Sequence, residues 1–399
     1  MKKKILVGAI AAFLLILLIC GIALFAPSKK FTVAFYKISD KQRQGITEVL
    51  GTIAEEKGIT MVFQQYNADK TLESQLLFSK KPNIIITRSG FAVDAAVEKA
   101  TSKATVPLTF SDGMTSSMRS AIKKNNERIA ALPILSSHLE VDIDTTEFRS
   151  SNTKQINTWS DVEKFMREQK RRKDSPMVLA GGNSDFFLDF VGAFAESIDG
   201  VSSYREAAAI VKTEKNPAKA AVLLCDEPNS PLATTVRQLT SWYRQGLLHQ
   251  GTFSLQMNDV EAFASSRLIS VFSMSLEDHR AVSQNTISRY SSIYFPSEHN
   301  ANARIFTGTT VYAVPMTKSK NNEIVMGALI NTQNQEILSR KTGIAPVLAQ
   351  CRTPDKQADD ARYWIAATAA PFAGLSNEVY LTKEQKNGLA AEIAARIRR

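Results

Sequence analysis

The chain has 399 residues, 44% of them hydrophobic, which is more than one typical core needs and points to two domains. Its formal charge is +10, of which the lysines at positions 2–4 carry three. The remaining charge is interspersed apart from the run Lys170–Lys173, and no RNP, zinc-finger or heptad pattern accompanies it, so it reads as a solvated surface and not a nucleic-acid face.

Lys2, Lys3 and Lys4 precede an apolar run, Ile5–Ala26. As a helix that run would extend about 33 Å, enough to cross a hydrocarbon core. The lysines stay on the cytoplasmic side, which puts the rest of the chain outside. Gly21-Ile22-Ala23 offers a cleavage site and Leu17-Leu18-Ile19-Cys20 is similar to a lipoprotein box. Residues 1–30 therefore read as a membrane anchor or signal segment that is retained, cleaved or lipidated at Cys20. All three outcomes place the folded part in the cell envelope, periplasmic or on the cell surface. Cys225 and Cys351 remain after Cys20, either as a disulfide or as two buried small hydrophobes.

Phe31–Lys37 alternates β-prone residues and predicts a strand; Gln42–Lys57 predicts a helix stopped by Gly58. Ile59–Tyr66 predicts a second strand, and Asp69 caps a helix expected to reach Ser79. Pro82 and Asn83 introduce the strand Ile84–Thr87, and a helix begins at Phe91. This β-α-β-α-β-α order predicts a mostly parallel sheet covered by helices, an α/β fold. Such sheets bind ligands beyond the carboxyl ends of their strands, which selects Tyr36, Lys37, Arg88 and Ser89. Asp112, in the turn Phe110-Ser111-Asp112-Gly113, is a further candidate at the cleft border.

The pattern changes at Ala131-Leu132-Pro133-Ile134, where the polar stretch Ser136-Ser137-His138 leads into the alternating Leu139–Ile143. A crossing between lobes is expected here, with His138 at the hinge. A second α/β region follows. Thr158 caps a helix with Asp161 three residues on, and Met177–Ala180 is a strand leading through Gly181-Gly182-Asn183-Ser184-Asp185 into the helix Phe186–Ser197. Asn183 and Asp185 sit at that strand-to-helix turn, where they either face ligand or cap the helix. Leu232–Leu247 and Met257–Ser265 predict helices and Leu268–Met274 a strand, whose end brings Met274 to the cleft. Ile293–Pro296 predicts a return crossing, Thr309–Val314 a strand with Phe306 at the hinge edge, and only helices are expected beyond Gln335. These crossings divide the chain into a first lobe, 31–135 with 297–335, and a second, 136–296 with 336–399.

Four stretches carry a family resemblance. Lys81-Pro82-Asn83-Ile84-Ile85-Ile86, Ala131-Leu132-Pro133-Ile134, Thr158-Trp159-Ser160-Asp161 and Thr342-Gly343-Ile344-Ala345-Pro346-Val347 resemble, in order and spacing, motifs of extracellular solute-binding proteins of the maltose-binding-like, sugar-importing group. The resemblance covers about residues 31 to 370. It implies a two-lobed periplasmic-binding-protein-like fold of type II and hinge closure on a small polar solute, a sugar, delivered to the membrane subunits of an ABC importer. The chain departs from the group at Ile143-Asp144, at Phe306-Thr307-Gly308-Thr309 and at Ser273-Met274-Ser275, where Tyr-Asn, Gly-Gly-Trp-rich and sugar-stacking aromatic residues are usual. A membrane-anchored sensor or surface-interaction module reusing the fold is the alternative that these departures leave open.

No G-x-S-x-G, P-loop, H-E-x-x-H or dinucleotide fingerprint is present, so no enzyme and no cofactor is expected. His249, His279 and His299 are scattered without metal-ligand spacing, and no metal is expected either.

Overall fold

The computed structural model describes residues 30–77, 79–298, 308–353, 356–368 and 372–399. The apolar run at positions 5–26 and its Cys20, as well as Phe306 and His299, lie outside them. Among the described residues no helix is long and apolar enough to cross a membrane.

Two sheets organise two cores. The first contains β1 (Phe31–Phe35), β2 (Met61–Gln65), β3 (Ile84–Arg88), β4 (Val106–Pro107), β5 (Lys123–Asn125), β6 (Arg128–Ser136), β11 (Thr310–Pro315) and β12 (Ala345–Pro346), in the order β12-β6-β11-β3-β1-β2, with β4 and β5 paired to β6. The second holds β7 (Leu139–Asp144), β8 (Met177–Val178), β9 (Val271–Ser275) and β10 (Tyr290–Ile293), in the order β10-β7-β9-β8. Only two of the seven pairings in the first sheet are parallel: β2, β1 and β3 run together, whereas β11 is antiparallel to both β3 and β6, and β12, β4 and β5 are antiparallel to β6. β6 and β11 carry the chain out to the second lobe and back, so they run in opposite directions. A β-α-β pattern predicts only the crossovers that stay within one lobe.

Local chemistry explains most boundaries. Ser39 caps the helix Asp40–Lys57 by accepting from Gln42 N, and Gly58, at φ 63°, closes it by donating to the carbonyls of Ala54 and Glu55. Thr158 and Asp161 form the expected capping box ahead of Trp159–Gln169. The helix expected from Asp69 is a single short piece, Leu72–Leu76, capped by Thr71. Asn67 Oδ1 accepts from Asp69 N, and this turn takes residues 67–70 out of the helix. Two further helices, Val201–Thr213 and Pro217–Cys225, begin behind Gly200 and the Asn216 cap.

The C-terminal segment is divided differently from the expectation that 336–399 joins the second lobe. β12 pairs with β6, and Leu338, Ile344, Val347, Leu348 and Ile365 pack in the first core. Leu375, Leu389, Ile393 and Ile397 pack in the second. The chain therefore changes lobe between Ile365 and Leu375, well beyond Gln335. Gln335 is held in the first lobe because its buried amide donates to the carbonyls of Ile134 and Leu329 and accepts from Val347 N. Cys225 and Cys351 are both free and buried, one in each core.

Candidate functional site

The carboxyl ends of β1, β3, β6 and β9 and the turn after β8 open onto one cleft of about 320 Å³ between the lobes. The first lobe contributes Lys37, Ser39, Gln42 and Arg88; Ser137 and His138 come from the crossing; Asn183, Asp185, Asp189, Ser275, Glu277 and Asp278 come from the second. The site follows the rule that α/β sheets bind at strand ends. Its volume is at the small end of ligand pockets, roughly 300–1,000 Å³.

Lys37 is the most constrained residue here. It stands directly behind β1 at φ 58°, a left-handed conformation that costs a non-glycine residue roughly 1–3 kcal/mol. Its ammonium lies 5.4 Å from the Phe91 ring centroid, 5.8 Å from that of Tyr380 and 5.9 Å from that of Tyr36. Burial, with Lys386 and Arg88 nearby, brings its pKa down to about 8. Arg88 ends β3, and its buried Nε has no hydrogen-bond partner among the described residues. Gly90 follows at φ 87°, and a Cβ there would sit 2.0 Å from the Asn377 carbonyl oxygen of the second lobe. Only glycine lets the two lobes approach at this point.

On the opposite wall Asn183 caps the helix Ser184–Asp199 by accepting from Phe186 N. Lys386 Nζ donates to Asp185 at 2.6 Å. Asp189 accepts from Ser376 N at 2.8 Å, and burial pushes its carboxyl up to about 7. Glu277 closes the cleft on one side: its carboxylate accepts from Ser39 Oγ and from Gln42 Nε2 of the first lobe, each at 2.6 Å. The lobes are thus in contact across the ligand space.

Of the residues selected from the sequence, Lys37, Arg88, His138, Asn183 and Asp185 are brought together in this cleft. Tyr36 is not among its lining residues: it is fully buried in a first-lobe cluster, with its hydroxyl donating to the Lys70 carbonyl at 2.9 Å. Ser89 is turned into the sheet, where its hydroxyl accepts from Thr310 N. Asp112 is exposed beyond the 3-10 turn Leu108–Ser111, away from the cleft lining. Met274 is fully buried in the second core, because alternation along β9 turns it into the lobe while Ser275 reaches the cleft. Ser39, Gln42, Ser137, Asp189, Ser275, Glu277 and Asp278 were missed. The strand-end rule would have found Glu277 and Asp278 had β9 been followed two and three residues past Ser275, whereas Ser39 and Gln42 lie four and seven residues past β1, in the cap and first turn of the next helix.

No family model and no curated protein matches the sequence. Solved structures do match the fold. The bacterial solute receptor AcbH, described with an exclusive preference for β-D-galactopyranose, is 8% identical at a TM-score of 0.68, covering 93% of this chain and all of its own. A chitin oligosaccharide binding protein is 12% identical at a TM-score of 0.66, with 93% and 97% covered. The GacH receptor of Streptomyces glaucescens, solved unliganded and with acarbose, is 12% identical at a TM-score of 0.59, with 92% and 96% covered. At such identities the likeness is one of fold: the chain is built as a two-lobed α/β solute receptor is built.

Proposed function

We propose that this protein is an extracytoplasmic receptor that captures a small polar ligand, a carbohydrate, between its lobes by hinge closure and hands it to an ABC importer. The observation that carries the reading is the convergence of strand-end polar side chains from both lobes on one small cleft in a fold shared with sugar receptors. Hydroxyl-rich ligands need many donors and acceptors at fixed positions, and the cleft offers guanidinium, ammonium, amide, carboxylate and hydroxyl groups. Arg88 supplies the planar donor fork for a hydroxyl pair, and the hydroxyls and carboxylates of the second lobe accept on the other side. In this reading the apolar run 5–26 tethers or exports the receptor, so that it works in the cell envelope.

A thermal-shift panel of monosaccharides, oligosaccharides, amino acids and polyamines tests the proposal. A sugar present at 100 times its Kd raises the stability by about 2.7 kcal/mol. Arg88→Ala leaves the melting temperature of the unliganded protein unchanged and weakens that sugar about tenfold or more, because an unmade polar contact in a closed site costs roughly 1–3 kcal/mol. A shift with amino acids or polyamines and with no sugar refutes the carbohydrate assignment.

A further inference from the structure

β7 reads Leu-Glu-Val-Asp-Ile-Asp, and all six residues are buried. Leu139, Val141 and Ile143 face the second core, so Glu140 and Asp142 share the other face of the strand. β10 lies against β7 with Ser292 directly opposite Asp142. The short helix Leu276–His279 behind β9 lays His279 over the same spot. Four donor atoms converge. His279 Nδ1 is 2.5 Å from Glu140 Oε2 and 3.4 Å from Asp142 Oδ1. Ser292 Oγ is 2.8 Å from Asp142 Oδ1, 3.0 Å from His279 Nδ1 and 3.1 Å from Glu140 Oε2.

We infer that Glu140, Asp142, His279 and Ser292 form a binding site for one divalent first-row metal ion of the zinc class. Ligands held at about 2.0–2.2 Å in a tetrahedron around such an ion stand about 3.3–3.6 Å from one another, so the 2.5–3.4 Å spacings found here need to open by only a few tenths of an ångström to about 1 Å. The donor set is one imidazole nitrogen, two carboxylates and a hydroxyl. It has no thiolate to select Cu(I), and too few oxygens for the six to eight that Ca²⁺ takes. A second observation points the same way. Asp142 is 0% exposed, and its Oδ2 has no hydrogen-bond partner among the described residues. A buried carboxylate oxygen left so is costly, and a cation beside it removes the cost. His138 Nε2 stands 3.2 Å from Glu140 Oε1, the outer partner that a ligating carboxylate requires. A cavity of about 410 Å³, lined by His279, Ser292, Arg280, Gln284 and Tyr290, gives the ion and its waters a way in. His138 also lines the ligand cleft, so the metal site lies one side chain behind the proposed sugar site.

The test uses the full-length chain, stripped with chelator, titrated calorimetrically with Zn²⁺ and followed by visible absorption with Co²⁺. One Zn²⁺ per chain, a raised melting temperature and a Co²⁺ spectrum of a nitrogen–oxygen site are expected. Asp142→Asn and His279→Gln each lower Zn²⁺ affinity about 100-fold or more, and His138→Gln about 10–100-fold, the usual range for an outer partner. Ser292→Ala, the mildest change, lowers it about tenfold and serves if the other variants fail to fold. Absence of stoichiometric Zn²⁺ binding, or an affinity unchanged in Ser292→Ala and in whichever other variants fold, overturns the inference and leaves a metal-free hydrogen-bonded cluster. Sugar binding is measured separately, so loss of the metal site and loss of the receptor reading are told apart.

Discussion

In the first lobe, β1 buries Val33, Ala34 and Phe35 and β3 buries Ile84, Ile85 and Ile86, and charged groups begin only where these strands end, at Lys37 and Arg88. In the second lobe β7 buries Glu140 and Asp142 in mid-strand, and the helix Ser184–Asp199 buries Glu196. The two lobes handle charge differently. The first sorts charged from apolar residues along the chain. The second places charged groups inside and depends on partners distant in sequence, such as His279 and Ser292 for β7. A lobe of the first kind is legible from pattern; a lobe of the second kind is not, because alternation of apolar and charged residues ordinarily means one wet face.

The sharpest way to break this contrast is Glu196, a carboxyl 1% exposed whose Oε1 has no partner among the described residues. Burial pushes its pKa up to about 8. A group whose folded pKa lies above its unfolded value binds protons better when folded, so stability falls as pH rises from the ordinary glutamate range to about 8, then levels off. Glu196→Gln removes that slope. The variant is expected to match the parent near pH 4 and to exceed it by about 2–4 kcal/mol at pH 9, read from urea unfolding across the pH range. Parallel pH profiles for the two proteins would mean that the second lobe tolerates this carboxyl without cost, and the contrast with the first lobe would weaken.

Glu277 tests the seam between the lobes. Two charge-assisted hydrogen bonds to Ser39 and Gln42 hold the cleft in its present contact, and bonds to charged groups contribute roughly 1.5–3 kcal/mol each in net terms. Part of that is returned when the freed groups meet water, so Glu277→Ala is expected to favour the open form by about 1–3 kcal/mol. Solution scattering should show a larger radius of gyration for the unliganded variant, with each lobe as stable as before. An unchanged radius would show that the closure seen here is held elsewhere, for example by Tyr380, whose hydroxyl donates to the Asp69 carbonyl.

Much of the first lobe was legible. The strands at 31, 61 and 84 and the helix ending at Gly58 follow from local pattern, as does the Thr158 capping box in the second lobe, since each is fixed by residues a few positions apart. The lobe of residues 336–366 was not, because the amide of Gln335 and the pairing of β12 with β6 are long-range facts with no local trace. The candidate site was legible in its principle and not in its detail. Following strand ends reached Lys37, Arg88, Asn183 and Asp185, yet the same rule also selected Tyr36 and Met274, which differ from them by one step of alternation. A strand end names a place within about two residues, and the side that each side chain takes depends on where the strand stops.

Tyr36 isolates that last ambiguity with the smallest expected effect. If its role is the one its burial indicates, the ring fills its first-lobe cluster and stands beside Lys37, while the hydroxyl only donates to the Lys70 carbonyl. Tyr36→Phe keeps the ring, the cation–π contact and the left-handed turn at Lys37, and removes one hydrogen bond. Such a bond contributes roughly 0.5–1.5 kcal/mol, and Lys70 is exposed, so its carbonyl can turn to water and the loss should fall near the lower figure. The variant is therefore expected to unfold at slightly lower denaturant with an unchanged slope, and to bind the receptor's sugar within about twofold of the parent. A tenfold loss of affinity with stability intact would instead place the Tyr36 hydroxyl in contact with ligand. The cleft would then reach behind β1, and the two kinds of strand end in the first lobe would have to be read as one.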